Sequence, residues 1–338
     1  VRLADGSLLT MQDARACNPA FDMTRTWALP IPPDPDHDSD LESYLRAIGF
    51  TDEQLTYTRR SWGNAAGDDI ARLSAQAAYE DMTDTSAGDG DFRILEGYDR
   101  LPVSLAEGLD IRLNTVVTRI DWAGDGVRVQ TADGQVFPAD RVLITVPLGV
   151  LQAGAIAFDP PLPTDKQDAL RLLIMGGAIK MVYAFDQPVL PPGIGALYSA
   201  VNPPMWWSPS AGRDVPGQVV TAFTTGEWAR ALRGMGADEA LAHGLRALAD
   251  QLGTPLPTPR ATRFQDWNAD PFALGGYSTV GVGGREARGR LAQPIVDRLY
   301  FAGEATAPNA WGGTVHGAYA SGRRAALEII AQLSSEPE

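Results

Sequence analysis

The stretch from 298 to 330, RLYFAGEATAPNAWGGTVHGAYASGRRAALEII, constrains this chain more than any other. It reads as a short apolar strand, Leu299–Ala302, a turn at Gly303-Glu304, a glycine-rich loop, and a long helix from Val315 to Leu333. Gly303, Gly312 and Gly313 let the backbone come close to a flat ligand, because no Cβ stands in the way. The helix beginning near Thr314 offers unpaired N–H groups and the positive end of its dipole. A group that acquires negative charge would be stabilised there. With no ligand, the same string is an ordinary glycine-rich turn between strand and helix.

The rest of the chain alternates strands and helices, so an α/β or α+β fold is expected. PIPPDPDHDSD at 30–40 reads as a loop. Leu41, Tyr44, Leu45 and Ile48 follow helical spacing with Gly49 as a stop, and the helical pattern runs on to about Tyr79. DMTDTSAGDGD at 81–91 is a polar linker. A short helix is expected over Leu101–Gly108, and strands at Ile111–Leu113, Val116–Asp121, Val127–Thr131 and Arg141–Val146. RVLITVP is almost continuously apolar and β-branched, as for a strand buried on both faces. Thr164–Leu173 should be a helix, Ala178–Phe185 and Val219–Thr224 strands, Asp238–Leu252 a helix, and 285–294 a loop.

Composition removes several function classes. The 338 residues are 44% hydrophobic and 21% charged, with net charge −14. That sign disfavours a nucleic-acid binder and favours cationic partners such as amines, although it also serves solubility. Cys17 is the single cysteine, and His37, His243 and His316 are scattered, so neither a disulfide framework nor a metal site is expected. No apolar run approaches the roughly 20 residues of a membrane span. No secretory leader is visible at Val1, and a cytoplasmic location is expected.

Lys166 and Lys180 are the only lysines, the other basic residues being arginines. Lys180 lies in GGAIKMVYAF, an otherwise apolar strand, where an ammonium is costly unless it is paired or reaches solvent. Tyr277 in GGYS is either a core tyrosine at a strand start or an aromatic wall suited to an amine. Trp311 lines a pocket or caps its loop, and His316 reads as structural.

The 298–330 segment resembles the C-terminal signature of flavin-containing amine oxidases, especially polyamine oxidases and lysine-specific histone demethylases. Three more segments carry the likeness: RILEGYDRLPVSLAEGLDIRLNTVVTRIDW, ADRVLITVPLGVLQAGAIAFDPPLP at 139–163, and WNADPFALGGYS at 267–278. It covers about 92 to 332. The resemblance implies non-covalent FAD, an amine substrate and dioxygen. Val117 would contact adenine through its backbone, and Thr145 and Pro147 would sit beside the cofactor. Gly303 and Gly313 would line its approach, and Glu304 would bind a cofactor hydroxyl. Thr314 and the N–H of Val315 would meet the isoalloxazine edge. Tyr277 would wall the amine cage, with Trp267 and Phe272 lining the flavin pocket nearby. Lys180 would hold a water against flavin N5, and burial would lower its pKa.

One departure is large. The family opens with strand–GxGxxG–helix, which cradles the pyrophosphate, and this chain contains no such string. GDGDF at 88–92 and GVGG at 281–284 lack the setting. Glu96-Gly97 stands where Gly-Gly is usual, and no long helical insertion of the demethylase type lies between 151 and 289. The expected architecture is an FAD-binding, doubly wound type of domain missing its first βαβ, interleaved with a substrate domain of mixed sheet and helices. The segments would be 1–91 (substrate, helical), 92–150 (FAD), 151–289 (substrate), 290–333 (FAD) and a tail at 334–338. The leading expectation is an FAD-dependent amine oxidase whose N-terminal segment lies before Val1, and weak or no FAD binding by these residues alone. A non-catalytic remnant serving as an interaction module, or another flavin oxidoreductase such as an L-amino-acid oxidase with an arginine clamp, are the alternatives.

Overall fold

The computed structural model describes residues 31–84, 86, 94–199 and 201–335, together with positions 9, 10, 12, 13 and 16. Cys17 and the GDGDF string lie outside them. Helicity between 41 and 83 is broken into pieces rather than continuous: Leu41–Ala47, Asp52–Thr58, a π-helical turn Arg59–Gly63, Asn64–Ala66 and Ala75–Thr83. The breaks have local causes. Gly49 and Gly67 take positive φ and end their helices. Thr51 and Gln54 form a reciprocal capping box that starts the second, and Ser74 Oγ accepts from Ala77 N at 3.0 Å to start the last.

The strands are β1 Val117–Asp121, β2 Val127–Thr131, β3 Val136–Ala139, β4 Val142–Ile144, β5 Ala157–Asp159, β6 Leu173–Met175, β7 Ala178–Phe185, β8 Ala196–Tyr198, β9 Met205–Trp207, β10 Gln218–Thr225, β11 Ala261–Asp266, β12 Ser278–Val280 and β13 Leu299–Phe301. They form a four-stranded sheet in the order β3-β2-β1-β5, a five-stranded sheet β11-β7-β10-β9-β8, and the pairs β12-β6 and β13-β4. The five-stranded sheet is antiparallel throughout. Its β7 alternates cleanly: Ile179, Met181, Tyr183 and Phe185 are buried. They pack with Trp206, Val220 and Ala222 against Ala229 and Leu232 of the Gly226–Met235 helix and Ala240 and Leu248 of the Ala237–Leu252 helix. The opposite face of β7 carries Ala178, Lys180, Val182 and Ala184.

Three expectations are corrected. Ile111–Leu113 forms no strand; Ile111 is 53% and Leu113 79% exposed, and no neighbouring strand accepts their backbone hydrogen bonds. RVLITVP is not buried on both faces: β4 pairs only with β13, and Leu143 is exposed. The expected loop at 285–294 contains a helix, Ala287–Ala292, because Ala287, Arg288, Leu291 and Ala292 bury one face. Among the described residues, no helix is long and apolar enough to cross a membrane.

Lys166 explains how that short helix ends. Its ammonium donates to the carbonyls of Arg290 at 2.8 Å, Leu291 at 2.7 Å and Gln293, and stands 4.5 Å from the Phe301 ring centroid. A cation at a helix C-terminus satisfies orphan carbonyls and meets the negative end of the dipole. Burial pulls the pKa of this lysine down to about 8, a cost that the carbonyls offset. Replacing Lys166 by Met removes the partner of three carbonyls, that of Leu291 buried and those of Arg290 and Gln293 part-buried. The expected loss is about 3 kcal/mol of unfolding free energy, read by urea denaturation, and an unchanged midpoint would contradict the capping role.

Candidate functional site

Two cavities meet at the 298–330 segment. The first, about 350 Å³, lies between the end of β4 and the turn after β13, with Thr145 and Pro147 on one side and Gly303, Glu304 and Thr306 on the other. Trp267, Gly275 and Gly276 close a third side, and Ala318 of the Val315–Ser335 helix reaches it. The second, about 240 Å³, lies beyond the 275–278 strand entry. Trp62, Ala65, Asp81, Tyr277, Gly313 and Thr314 line it.

A charge cluster forms the partition. Glu304 Oε1 accepts from Ser278 N at 3.1 Å. Glu304 Oε2 accepts from Ser278 Oγ at 2.6 Å and Gly313 N at 2.7 Å. Arg288, 3% exposed, donates to Ser278 Oγ at 2.7 Å, Ser278 O at 2.9 Å and Glu304 O at 3.1 Å. A Cβ on Gly312 would run into the Arg288 guanidinium, so a glycine is required there for packing rather than for φ. Burial lowers the Arg288 pKa, and Glu304 and Asp81 oppose the shift.

Tyr277 is clasped at the partition. Its Oη donates to Ala65 O at 2.5 Å, and its backbone carbonyl accepts from Gly176 N at 2.9 Å. Gly67 and Gly313, both at positive φ, face the ring closely enough that a Cβ on either would stand 3.0 or 3.1 Å from it. Burial raises the pKa of its phenol.

The Val315–Ser335 helix opens beside it. Thr314 Oγ1 accepts from Gly317 N at 3.0 Å and donates to Trp311 O at 2.7 Å, so this hydroxyl is a helix cap. Ala318 N closes the first helical bond, to Thr314 O. The N–H groups of Val315 and His316 have no acceptor among the described residues, which leaves two donors for an anionic edge.

The structure therefore brings together Thr145, Pro147, Trp267, Gly303 and Glu304 around one cavity, and Tyr277, Gly313 and Thr314 around the other. The Glu304 carboxylate is engaged by Ser278 and Gly313 rather than turned to a ligand hydroxyl. Phe272 is 63% exposed and lines neither cavity. Val117 begins β1, in a different sheet. Lys180 stands mid-β7, its Nζ 5.7 Å from the Trp207 ring centroid and 5.8 Å from that of Phe223. Its face of the strand is the one that Ala178 turns toward Gly276. His316 is exposed and stacks edge-on against Trp311 at 5.6 Å.

Sequence reasoning missed Ser278, Arg288 and Asp81. An arginine inside the small-residue string EARGRLA was the available signal for Arg288. Asp81 keeps an exposed flank at the cavity mouth, yet desolvation by the surrounding wall raises its carboxyl to about 6, with Arg288 pulling the other way.

A strand, a glycine-rich turn and a helix N-terminus around an apolar slot, on an α/β scaffold, form a site suited to a ligand with an apolar body and an anionic edge. The chain belongs to the flavin containing amine oxidoreductase family, which it matches over residues 6–330. Polyamine oxidase 4 of Oryza sativa subsp. japonica is 36% identical over 300 residues, 84% of this chain and 58% of that protein. Lysine-specific histone demethylase 1 homolog 3 of Arabidopsis thaliana is 35% identical over 257 residues, 71% of this chain but 16% of that protein. The chain thus spans only part of these relatives' length. Among solved structures, putrescine oxidase bound to putrescine superposes with TM-score 0.78 at 21% identity, covering 97% of this chain and 78% of the other. Cyclohexylamine oxidase from Brevibacterium oxydans gives 0.72 at 20%, covering 88% and 68%.

The raised Asp81 pKa has a sign. The folded chain holds this proton up to about pH 6, whereas an unfolded aspartate releases it near 3.8. The folded state therefore binds more protons in that window, and this group's contribution to stability falls as pH rises through it. The stability of wild type relative to Asp81→Asn should therefore fall between pH 4 and 6 when the two denaturation curves are compared; parallel curves would contradict the assignment.

Proposed function

We propose that the chain is the amine-recognising and flavin-ring-binding portion of an FAD-dependent oxidase of small aliphatic amines or polyamines. The observation that carries this reading is the apolar slot between Thr145–Pro147 and Gly303–Thr306, set beside a helix that keeps the Val315 and His316 N–H groups free. The largely apolar lining and the free donors suit an isoalloxazine ring, whose reduced form concentrates charge at one edge. Bound FAD would supply the hydride acceptor, dioxygen finally taking the electrons as peroxide.

The chain's own residues have distinct tasks in this reading. Thr145, Pro147 and Trp267 hold the ring plane, and the two free N–H groups meet its charged edge. Glu304 and Arg288 fix the Gly312-Gly313 backbone rather than bind the ligand. Tyr277 presents an aromatic face to an amine, and its clasp between two glycines holds that face still. Lys180 holds a water on the substrate side. Asp81, ionised above about pH 6, attracts a second ammonium at the cavity mouth, which suits a diamine. The buried Arg288 is not a clamp for a substrate carboxylate, since Ser278 and Glu304 already occupy its Nη donors. The second reading, a non-catalytic interaction module, draws on the exposed apolar side chains of Leu95, Val103, Leu109 and Leu113.

The visible spectrum of the purified chain with added FAD separates the two. The oxidase reading expects a bound-flavin band that bleaches anaerobically with putrescine or spermidine. A colourless protein that retains no FAD would support the interaction module for these residues. Where the band forms, Lys180→Met should slow bleaching by about 10²-fold or more while leaving the flavin bound. Asp81→Asn should weaken putrescine binding about ten-fold and butylamine binding much less, measured by the amine concentration for half-maximal bleaching rate.

A further inference from the structure

The two lysines stand in opposite settings. The Lys166 ammonium is wholly committed to three carbonyls. Lys180 makes no hydrogen bond or ion pair among the described residues. Its cross-strand neighbours are Phe223 on β10 and Gln265 on β11. Arg263, two positions from Gln265 on the same face of β11, donates to Gln265 Oε1 at 3.1 Å. The carboxylate on that strand, Asp266, sits on the other face and is bound by Arg233. No carboxylate on either neighbouring strand thus faces Lys180, and the rings of Trp207 and Phe223 are near the outer limit for useful cation–π attraction. Burial lowers the pKa of the amine with no opposite charge to restore it. A lysine desolvated among apolar groups keeps its lone pair available and is a nucleophile.

We propose that Lys180 is a covalent capture site for small aldehydes with an apolar tail. The neutral Nζ attacks the carbonyl carbon and forms a C–N bond. Two protons pass from nitrogen to the carbonyl oxygen, which leaves as water as the C=N bond closes, and no electrons are gained or lost. Trp207 and Phe223 supply apolar surface for the tail. That the aldehyde is the protein's own product, set free when the imine from amine oxidation is hydrolysed, rests on the oxidase reading; the reactivity of the amine does not. Capture of product at Lys180 would block the position assigned to its water, and the enzyme would be self-limiting.

The test uses the purified chain without added flavin. It is treated with butanal and cyanoborohydride, which reduces an imine to a stable secondary amine, and the lysine peptides are followed by mass. Lys180 should be butylated several-fold faster than N-acetyl-lysine amide, because burial lowers the pKa of its amine and leaves more of it neutral. Lys166 should remain unmodified and so report that the chain stays folded. In Lys180→Arg, checked for an unchanged melting curve, the labelled peptide should vanish. Labelling of Lys180 no faster than the free amide, or no faster than Lys166, overturns the proposal. A chain that captures butanal at Lys180 yet oxidises no amine upholds this site while the oxidase reading fails. An active oxidase with unmodified Lys180 does the reverse.

Discussion

The Glu304 carboxylate accepts three hydrogen bonds from Ser278 and Gly313, with the Arg288 guanidinium 3.8 Å from its Oε2. Four segments converge there: the start of β12, the turn after β13, the glycine-rich loop, and the helix Ala287–Ala292. Arg288 is buried and Glu304 partly so, and removing the carboxylate would leave the guanidinium with less compensation in a low dielectric. The segments therefore cannot move independently. Because Gly313 N is one of the donors, the same cluster sets where the glycine backbone stands against Tyr277. Lys166 anchors the far end of the same short helix, so both of its ends are tied by buried cations.

The second constraint is the two-sidedness of β7. With a side-chain period of two, Ile179, Met181, Tyr183 and Phe185 fill the main core, and Lys180 must then point the other way. A slip of one residue would place an ammonium in the densest apolar cluster. The core residues thus fix the direction of Lys180 without touching it. The price appears on the other face, where the amine has aromatic neighbours but no counter-charge.

Where local pattern and tertiary packing agreed, the structure was legible in the sequence. β7 and the Ala237–Leu252 helix lie within a residue of where periodicity puts them, since each buries a continuous stripe. The turn at Gly303 and the helix from Val315 were equally visible, because their glycines and apolar strand are local signals. Ile111–Leu113 was misleading because β propensity needs a partner strand, and none is there. The helix Ala287–Ala292 was invisible because it is held by Lys166, more than a hundred residues away in sequence. Glu304 shows the same limit at the level of a site. Its place after a strand suggested a ligand hydroxyl, and only the fold reveals that its oxygens also accept from Ser278 and Gly313. Asp81, in a polar stretch that read as a linker, gave no local sign of the wall that desolvates it.

Parallel strands normally lie in sheets covered by helices on both faces. Here β4 and β13 form a parallel pair of two strands with Leu143 exposed. The stretch from 95 to 116 keeps Leu95, Val103, Leu109 and Leu113 more than half exposed. Single exposed apolar residues are ordinary, but a run of them along one stretch of chain marks a surface fit to be covered. Two requirements for holding a dinucleotide cofactor are thus physically separate in this fold. In the proposed reading the ring end would be shaped by Glu304, Arg288 and the free N–H groups of the last helix, which hold their arrangement without a ligand. Most binding strength for such a ligand comes instead from phosphate contacts at a glycine-rich strand-to-helix turn. These residues contain no GxGxxG string between a strand and a helix, so in the proposed reading ring recognition and tight retention are separate properties.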